Sequence, residues 1–192
     1  MRIWSLLDDD NTKEEQGEWG EFRVKNKILR IKDQLGEMYL YNDMYVKNDN
    51  HIFQIDHILV CSKGVFVIET KAIQGTIYPN LNNGRWVAMN YENKTIFNNP
   101  IAQNNAHITA LKKTLKLDAP CHSIIVFTER NLPEGLPDNI INLRDLQNYL
   151  LTFKSEPLLN QEQISDIKTS LEQVKSIRIE LKKIHKKNNN YL

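Results

Sequence analysis

The 192-residue chain has almost no excess charge: 25 Lys and Arg stand against 24 Asp and Glu, a net of +1. A protein that holds nucleic acid by bulk electrostatics alone is thereby excluded, and any such contact must be local. No stretch approaches the roughly 18 apolar residues that a bilayer span needs. The opening MRIWSLLDDD has one arginine and a short apolar run that stops at three aspartates, which does not read as a secretory signal. Cysteine is scarce as well. Cys61 and Cys121 lie in strand-like apolar runs and are expected to be buried thiols of a cytoplasmic protein, not a disulfide or a metal pair. The histidines and cysteines show no zinc spacing. With 41% hydrophobic and 26% charged residues, wholesale disorder and fibrous repeats are out, and the length suits one domain with a small appendage.

Charge is even in sum but not in place. Residues 1–21 hold seven acids and two bases, whereas residues 168–192 hold seven bases and two acids. The basic end suits an anionic partner, although two solvated helix faces of opposite sign would give the same counts.

Hydrophobic spacing orders the elements. Gly17, Glu21, Val24, Ile28, Ile31 and Leu35 recur at helical intervals, which predicts a helix over 17–35 ended by a left-handed Gly36. Strand patterns follow at 38–46, 52–60 and 65–71, then a hairpin-like excursion at 76–78 and 86–89. Asn99-Pro100 is a helix start, with Asn99 as N-cap and proline in the first turn. Residues 123–128 read as a buried strand, 131–138 as a loop, 143–151 as a short helix and 161–187 as a last amphipathic helix. Tight turns imply antiparallel pairing of the first three strands. A strand after a long helix implies a parallel addition. The expected fold class is α/β: a mixed central sheet flanked by helices, with a C-terminal helical extension.

The chemistry concentrates in residues 54–71. If 61–64 form a four-residue hairpin loop, Val60 pairs with Val65, Ile58 with Val67, Asp56 with Glu69 and Gln54 with Lys71. Alternation puts all eight on one face of the sheet. Two carboxylates at about 5 Å repel by roughly 0.8 kcal/mol in water and about 3 kcal/mol at an effective dielectric of about 20. Protonation of one acid, the ammonium of Lys71 or a divalent cation would relieve this. Asp56 and Glu69, helped by a backbone carbonyl such as that of Thr70, would make a hard-oxygen site for Mg²⁺ or Mn²⁺. Lys71 would then orient the attacking water, accept its proton or stabilise developing phosphate charge. A surface hairpin with a weak ion pair would show the same pattern. Glu21, on the core-facing stripe of the first helix, is a third acid for such a site. Gln103, in the first turn after Asn99-Pro100, suits a phosphate oxygen or a water.

Three segments, GEWGE (17–21), QIDHILVCSKGVFVIETKAIQG (54–75) and NPIAQ (99–103), resemble the nuclease-related domain, a branch of the PD-(D/E)XK nuclease superfamily, over about residues 14–130. The resemblance implies a restriction-endonuclease-like αβββαβ core and metal-dependent phosphodiester hydrolysis. It makes Asp56 and Glu69 metal ligands, Lys71 the catalytic lysine, Glu21 the first-helix acid and Gln103 the helix glutamine. Gln54 departs from it, standing where an acid is common, which leaves one fewer ligand for a second metal. On this reading residues 14–155 are the nuclease domain and 160–187 a basic helix packed on it, on a second copy or on a partner protein. The expected substrate is DNA, with RNA also open, and no membrane is involved. The alternative is a non-catalytic nucleic-acid-binding or assembly module of the same fold. A phosphoesterase acting on small nucleotides is a third reading.

Other features read blandly. His57, on the strand face opposite Asp56, is expected to be a packed, hydrogen-bonded histidine, and His107 and His122 have no spaced partner. Tyr78 and Trp86 could stack on a base, but aromatics in a hairpin are more often packing. The last helix repeats Ile164, Ile167, Leu171, Val174, Ile177, Leu181 and Ile184 close to a heptad seam, with lysines over its other faces. These suit packing, or a clamp on DNA. The final HKKNNNYL is expected to fray.

Overall fold

A computed structural model describes residues 4–81, 84–91, 93–129, 132–153 and 156–189. Helix α1, Trp4–Leu29, is followed after a turn by the single-turn α2, Lys32–Leu35. The helix expected over 17–35 is therefore two elements. Gly36 ends them at a positive φ of 73°, as a capping glycine does, but its ψ of −141° lies outside the left-handed helical well expected of it. The apolar stripe persists across the turn, so Val24, Ile28, Ile31 and Leu35 are all buried together. This explains why their spacing read as one helix.

Strands β1 (Met38–Asn48), β2 (His51–Cys61) and β3 (Gly64–Lys71) form an antiparallel meander. Helix α3, Pro100–Leu115, starts as expected: the Asn99 side chain accepts from the N–H of Ile101, with Pro100 in the first turn. It crosses over to β7, Cys121–Phe127, which pairs parallel with β3, and β8, Ile140–Asn142, adds a second parallel edge. The sheet order is β1-β2-β3-β7-β8. This is the mixed α/β sheet that the turn lengths implied. One face buries Ile58, Val60, Val65 and Val67 against Leu111 of α3. The other buries Leu59, Phe66 and Ile68 against α1 and against Leu146 and Leu150 of α4, Leu146–Thr152.

A second sheet was only half expected. Strands β4 (Thr76–Tyr78), β5 (Arg85–Met89) and β6 (Lys94–Asn98) form an antiparallel set of three. Lys94, Thr95 and Ile96 of β6 are all exposed, so the burial alternation that marks a strand in sequence is missing there. Trp86 is fully buried, stacked on Phe127 with 6.5 Å between ring centroids, and its Nε1 donates to the Asn80 carbonyl. It is packing, which leaves Tyr78, about half exposed, as the aromatic open to a base. Gly75 joins the two sheets at φ +100°, and a Cβ there would lie 2.5 Å from the Met89 carbonyl oxygen, so no other residue fits.

Two glycines inside α1 behave differently. A Cβ on Gly20 would meet that of Ala72 at 2.8 Å, so Gly20 lets the helix approach the end of β3. A Cβ on Gly17 would meet nothing within 4 Å. Glycine inside a helix costs roughly 0.5–1 kcal/mol relative to alanine. Packing explains the first and not the second.

The single helix expected over 161–187 is corrected to two, α5 (Gln161–Ser176) and α6 (Arg178–Asn189), broken at Ile177. Asn160 and Gln163 close a capping box at the start of α5. Lysines spaced seven apart, Lys168, Lys175 and Lys182, lie over the rings of Tyr39, Tyr41 and Tyr45 on β1 at 4.5, 5.7 and 5.8 Å. Each such contact is worth about 0.5–1 kcal/mol at exposed positions. Ile164, Ile167, Leu171, Val174 and Leu181 are buried, whereas Ile177 and Ile184 are exposed. The break comes where Arg178 turns to β1, a tertiary contact that no Gly or Pro announces. Residues 185–189 of the expected frayed end are helical, and 190–192 lie outside the described residues, as do residue 131 of the expected loop and residues 1–3. Cys61 and Cys121 are both free thiols. Among the described residues no helix is long and apolar enough to cross a membrane.

Candidate active site

The β2–β3 ladder follows the expected register from Cys61–Gly64 through Val60–Val65 and Ile58–Val67 to His57–Ile68, and stops there. Asp56–Glu69 and Gln54–Lys71 do not continue it. This corrects the pairing expected for the polar end. From that point β2 stays with β1, β3 stays with β7, and the two strands splay. The physical reason is at hand: like-charged side chains directly opposed are unfavourable. Instead, Asp56 Oδ2 accepts the backbone N–H of Thr70 at 2.7 Å. The N–H and carbonyl of a strand residue project to the same side, so the Thr70 carbonyl also faces the gap beside Asp56.

Lys71 and Glu69 alternate with buried Val67 and Val65 on the face that α3 covers. Lys71 Nζ lies 2.7 Å from Glu69 Oε1 and donates to Gln103 Oε1 at 2.9 Å. Asn104, next in α3, is fully buried and donates to the Val67 carbonyl at 2.9 Å and to Ser123 Oγ at 2.8 Å. That anchor sets the helix rotation that aims Gln103 at Lys71. One turn on, His107 Nδ1 stands 3.4 Å from Glu69 Oε2, outside hydrogen-bond geometry for both atoms. Glu69 is 2% exposed, and its Oε2 has no hydrogen-bond partner.

Burial, reinforced by neighbouring acids, raises two of the carboxyls. Burial pushes Asp56 well above the usual carboxylate range, and Glu69 and Glu21 push it further, against the Thr70 N–H and Lys71. Burial also lifts Glu21 to about 7, helped by Asp43, Glu69 and Glu18 and opposed by Lys182. Burial lowers His107, reinforced by Lys71 and opposed by Glu69. Because folding raises the Glu21 pKa from 4.5, the folded chain holds a proton that the unfolded chain releases. Stability from this group is full below 4.5 and is lost as pH rises to about 7. Urea denaturation across that range is expected to show the decline in wild type and a smaller one in Glu21→Gln. Equal slopes in the two would rule out Glu21 as its source.

Sequence reasoning missed Asp43. The β1–β2 ladder skips it, opposite Asp56, and its φ is +51°, a conformation in which aspartate is enriched among non-glycine residues. Gln54 Nε2 donates to its Oδ1 at 2.9 Å, so the residue that departs from the family pattern is occupied by this acid. Oδ2 accepts from Lys182 Nζ at 2.8 Å and from the Arg178 guanidinium, whose Nε also donates to the Asp43 carbonyl at 2.6 Å. Burial pushes the Asp43 carboxyl up, but the hydrogen bonds from Lys182 and Arg178 hold it below its ordinary value. The basic C-terminal helix therefore reaches the acidic cluster. His107 was missed as well, although its spacing of four from Gln103 on one helix face was a usable signal. His57 is buried, with Nδ1 2.7 Å from Asn42 Oδ1, as expected of a packed histidine.

An acid-bearing helix, three antiparallel strands, a crossover helix and a parallel fourth strand, with Asp, Glu and Lys at the splayed end, define a nuclease-related α/β domain. The chain belongs to the nuclease-related domain family, whose model matches residues 16–128. That span holds Glu21, Asp43, Asp56, Glu69, Lys71, Gln103 and His107, and excludes Arg178 and Lys182. An uncharacterised protein of Bacillus anthracis is 30% identical over 152 residues, which cover 77% of this chain and 71% of that protein. No solved structure matches the chain significantly.

Proposed function

We propose that the protein is a Mg²⁺- or Mn²⁺-dependent nuclease that hydrolyses phosphodiester bonds of DNA. The observation that carries this reading is the convergence of Asp56, Glu69 and Lys71 where β2 and β3 part, within the family span. Among the described residues no group of three His, Cys, Asp or Glu side chains is placed to hold a metal ion. Mg²⁺ needs no such cage, since it is commonly held by one or two carboxylates and keeps several waters. Asp56 and Glu69 fit that demand: Glu69 Oε2 is buried without a donor, and burial, with Glu69 and Glu21 beside it, disfavours ionisation of Asp56 unless a cation joins it. Asp56, Glu69 and the Thr70 carbonyl would hold the ion. When bound, it would supply positive charge to polarise a phosphoryl oxygen.

The chain's own residues do the rest. Glu69 and Gln103 together hold the Lys71 ammonium at the end of β3, where it stabilises charge that develops on the phosphate. Gln103 fixes that aim, and Glu21 adds negative charge once the pH exceeds about 7. The test is incubation of circular single- and double-stranded DNA with Mg²⁺, Mn²⁺ or EDTA. Circles have no ends, so nicking in the metal arms alone supports the reading and reports an endonuclease; circles and linear DNA both uncut in every arm count against it.

A non-catalytic nucleic-acid-binding module is the competing reading, favoured by the Lys71–Glu69 pair, which already neutralises one acid. Thermal melting separates the two. Mn²⁺ is expected to raise the melting temperature of wild type, because a ligand of the native state alone stabilises it, and to leave Asp56→Asn unmoved. A wild-type melting temperature insensitive to Mn²⁺ favours the binding module.

A further inference from the structure

Beyond the carboxylates a cleft of about 480 Å³ opens between α1 and the turn that joins β5 to β6. It lies within the usual range for ligand sites, about 300–1,000 Å³. Thr70 and Lys71 form its inner end, so it runs straight out of the candidate active site. Lys13 stands on the α1 wall and Lys94 on the β6 wall. Neither makes an ion pair with a described residue, and among the described residues no carboxylate lines the cleft. With Lys71 paired to Glu69, Lys13 and Lys94 are the charges that the described lining leaves for an anion. The remaining polar lining is amide and hydroxyl: Gln16, Gln74, Asn93 and Thr95 among them. Gly17 also lines it, and is the helical glycine that no packing contact requires. A side chain there would enter the cleft.

We infer that this cleft binds one unpaired polynucleotide strand and feeds it to Lys71. The inference rests on the nuclease reading above and names its substrate form. Lys13 and Lys94 take phosphates on the two sides of the strand, and the amides meet base edges, which offer both donors and acceptors. A duplex turns its Watson–Crick edges inward and shows only groove edges, so an unpaired strand meets these amides better. Gly17 keeps the passage open at a cost in helix stability.

The test is fluorescence anisotropy in EDTA, where no cleavage is needed. The probe is a short labelled oligothymidylate, compared with an oligouridylate and with a duplex of the same length. Neutralising two phosphate contacts to a single strand changes the slope of log affinity against log salt by about 1.4. Lys13→Gln/Lys94→Gln is therefore expected to bind the single strands about 25-fold more weakly at about 0.1 M salt, with the difference closing near 1 M. Gly17→Ala is expected to raise the melting temperature, and Gly17→Leu to weaken strand binding several-fold while still melting at or above wild type. The inference is overturned if the double variant keeps wild-type affinity and slope, if wild type binds no single strand, or if it prefers the duplex. Loss of binding in the double variant, with circular and linear DNA uncut under every metal, leaves the cleft and removes the nuclease. Nicking abolished by Asp56→Asn, with binding unchanged in the double variant, does the reverse.

Discussion

Lys71→Met is expected to lower phosphodiester cleavage by roughly 10²–10⁴-fold, the range that a positioned catalytic group supplies. Its ammonium is 2.7 Å from Glu69 and 2.9 Å from Gln103, and nothing else on β3 can take that place. The pair is buried, with 15% and 3% of the two side chains exposed. Removing one partner of such a pair costs about 3–5 kcal/mol, so loss of activity in Lys71→Met could be blamed on unfolding. Asp56→Asn removes that ambiguity. An amide keeps an acceptor for the Thr70 N–H but ends the repulsion that raises the Asp56 pKa. This variant is expected to be inactive and more stable than wild type at neutral pH. Two variants that stop cleavage with opposite effects on stability would separate chemistry from folding. Melting curves beside initial rates on circular DNA read both. A Lys71→Met protein that nicks at the wild-type rate ends the proposed role of the lysine.

Trp86→Ala is expected to destabilise the protein by about 3–5 kcal/mol, the usual cost of truncating a buried tryptophan. The ring is the link between the two sheets. It is fully buried, stacks on Phe127 of the main sheet and meets Phe97 edge-on at 6.2 Å. Its loss leaves a cavity where β5 and β7 meet, and the small sheet carries one wall of the cleft. The midpoint of urea unfolding should fall. Trp86→Phe, which keeps an aromatic in the same stack, should recover part of the loss. An unchanged midpoint in Trp86→Ala would mean that the small sheet is held by something else.

Much of the site was legible because it is built from local rules. Turn length and alternation set the β2–β3 register from Cys61 to Ile68, and the Asn99-Pro100 pair marked the start of α3. Those two elements bring Glu69, Lys71 and Gln103 together. The splay that follows was not legible. It depends on which neighbour each strand prefers beyond Ile68, a competition between the β1 and β7 ladders and the repulsion of two acids. The two halves of the chain's uneven charge also carried no address. Arg178 and Lys182 come to Asp43 from 135 and 139 residues away, along a helix pair that three Lys–Tyr contacts lay across β1.

By itself the amino-acid order determined the α/β class, the antiparallel meander and the parallel crossover, and it pointed to Asp56, Glu69 and Lys71 as a candidate set. Each follows from spacing within a few residues, where backbone geometry leaves few choices. Only the tertiary structure decided that Asp43 joins the acids, that two C-terminal cations hold it, and that a cleft flanked by Lys13 and Lys94 leads away from Lys71. Those arrangements depend on where packed elements meet, which burial over the whole chain determines and no short pattern records.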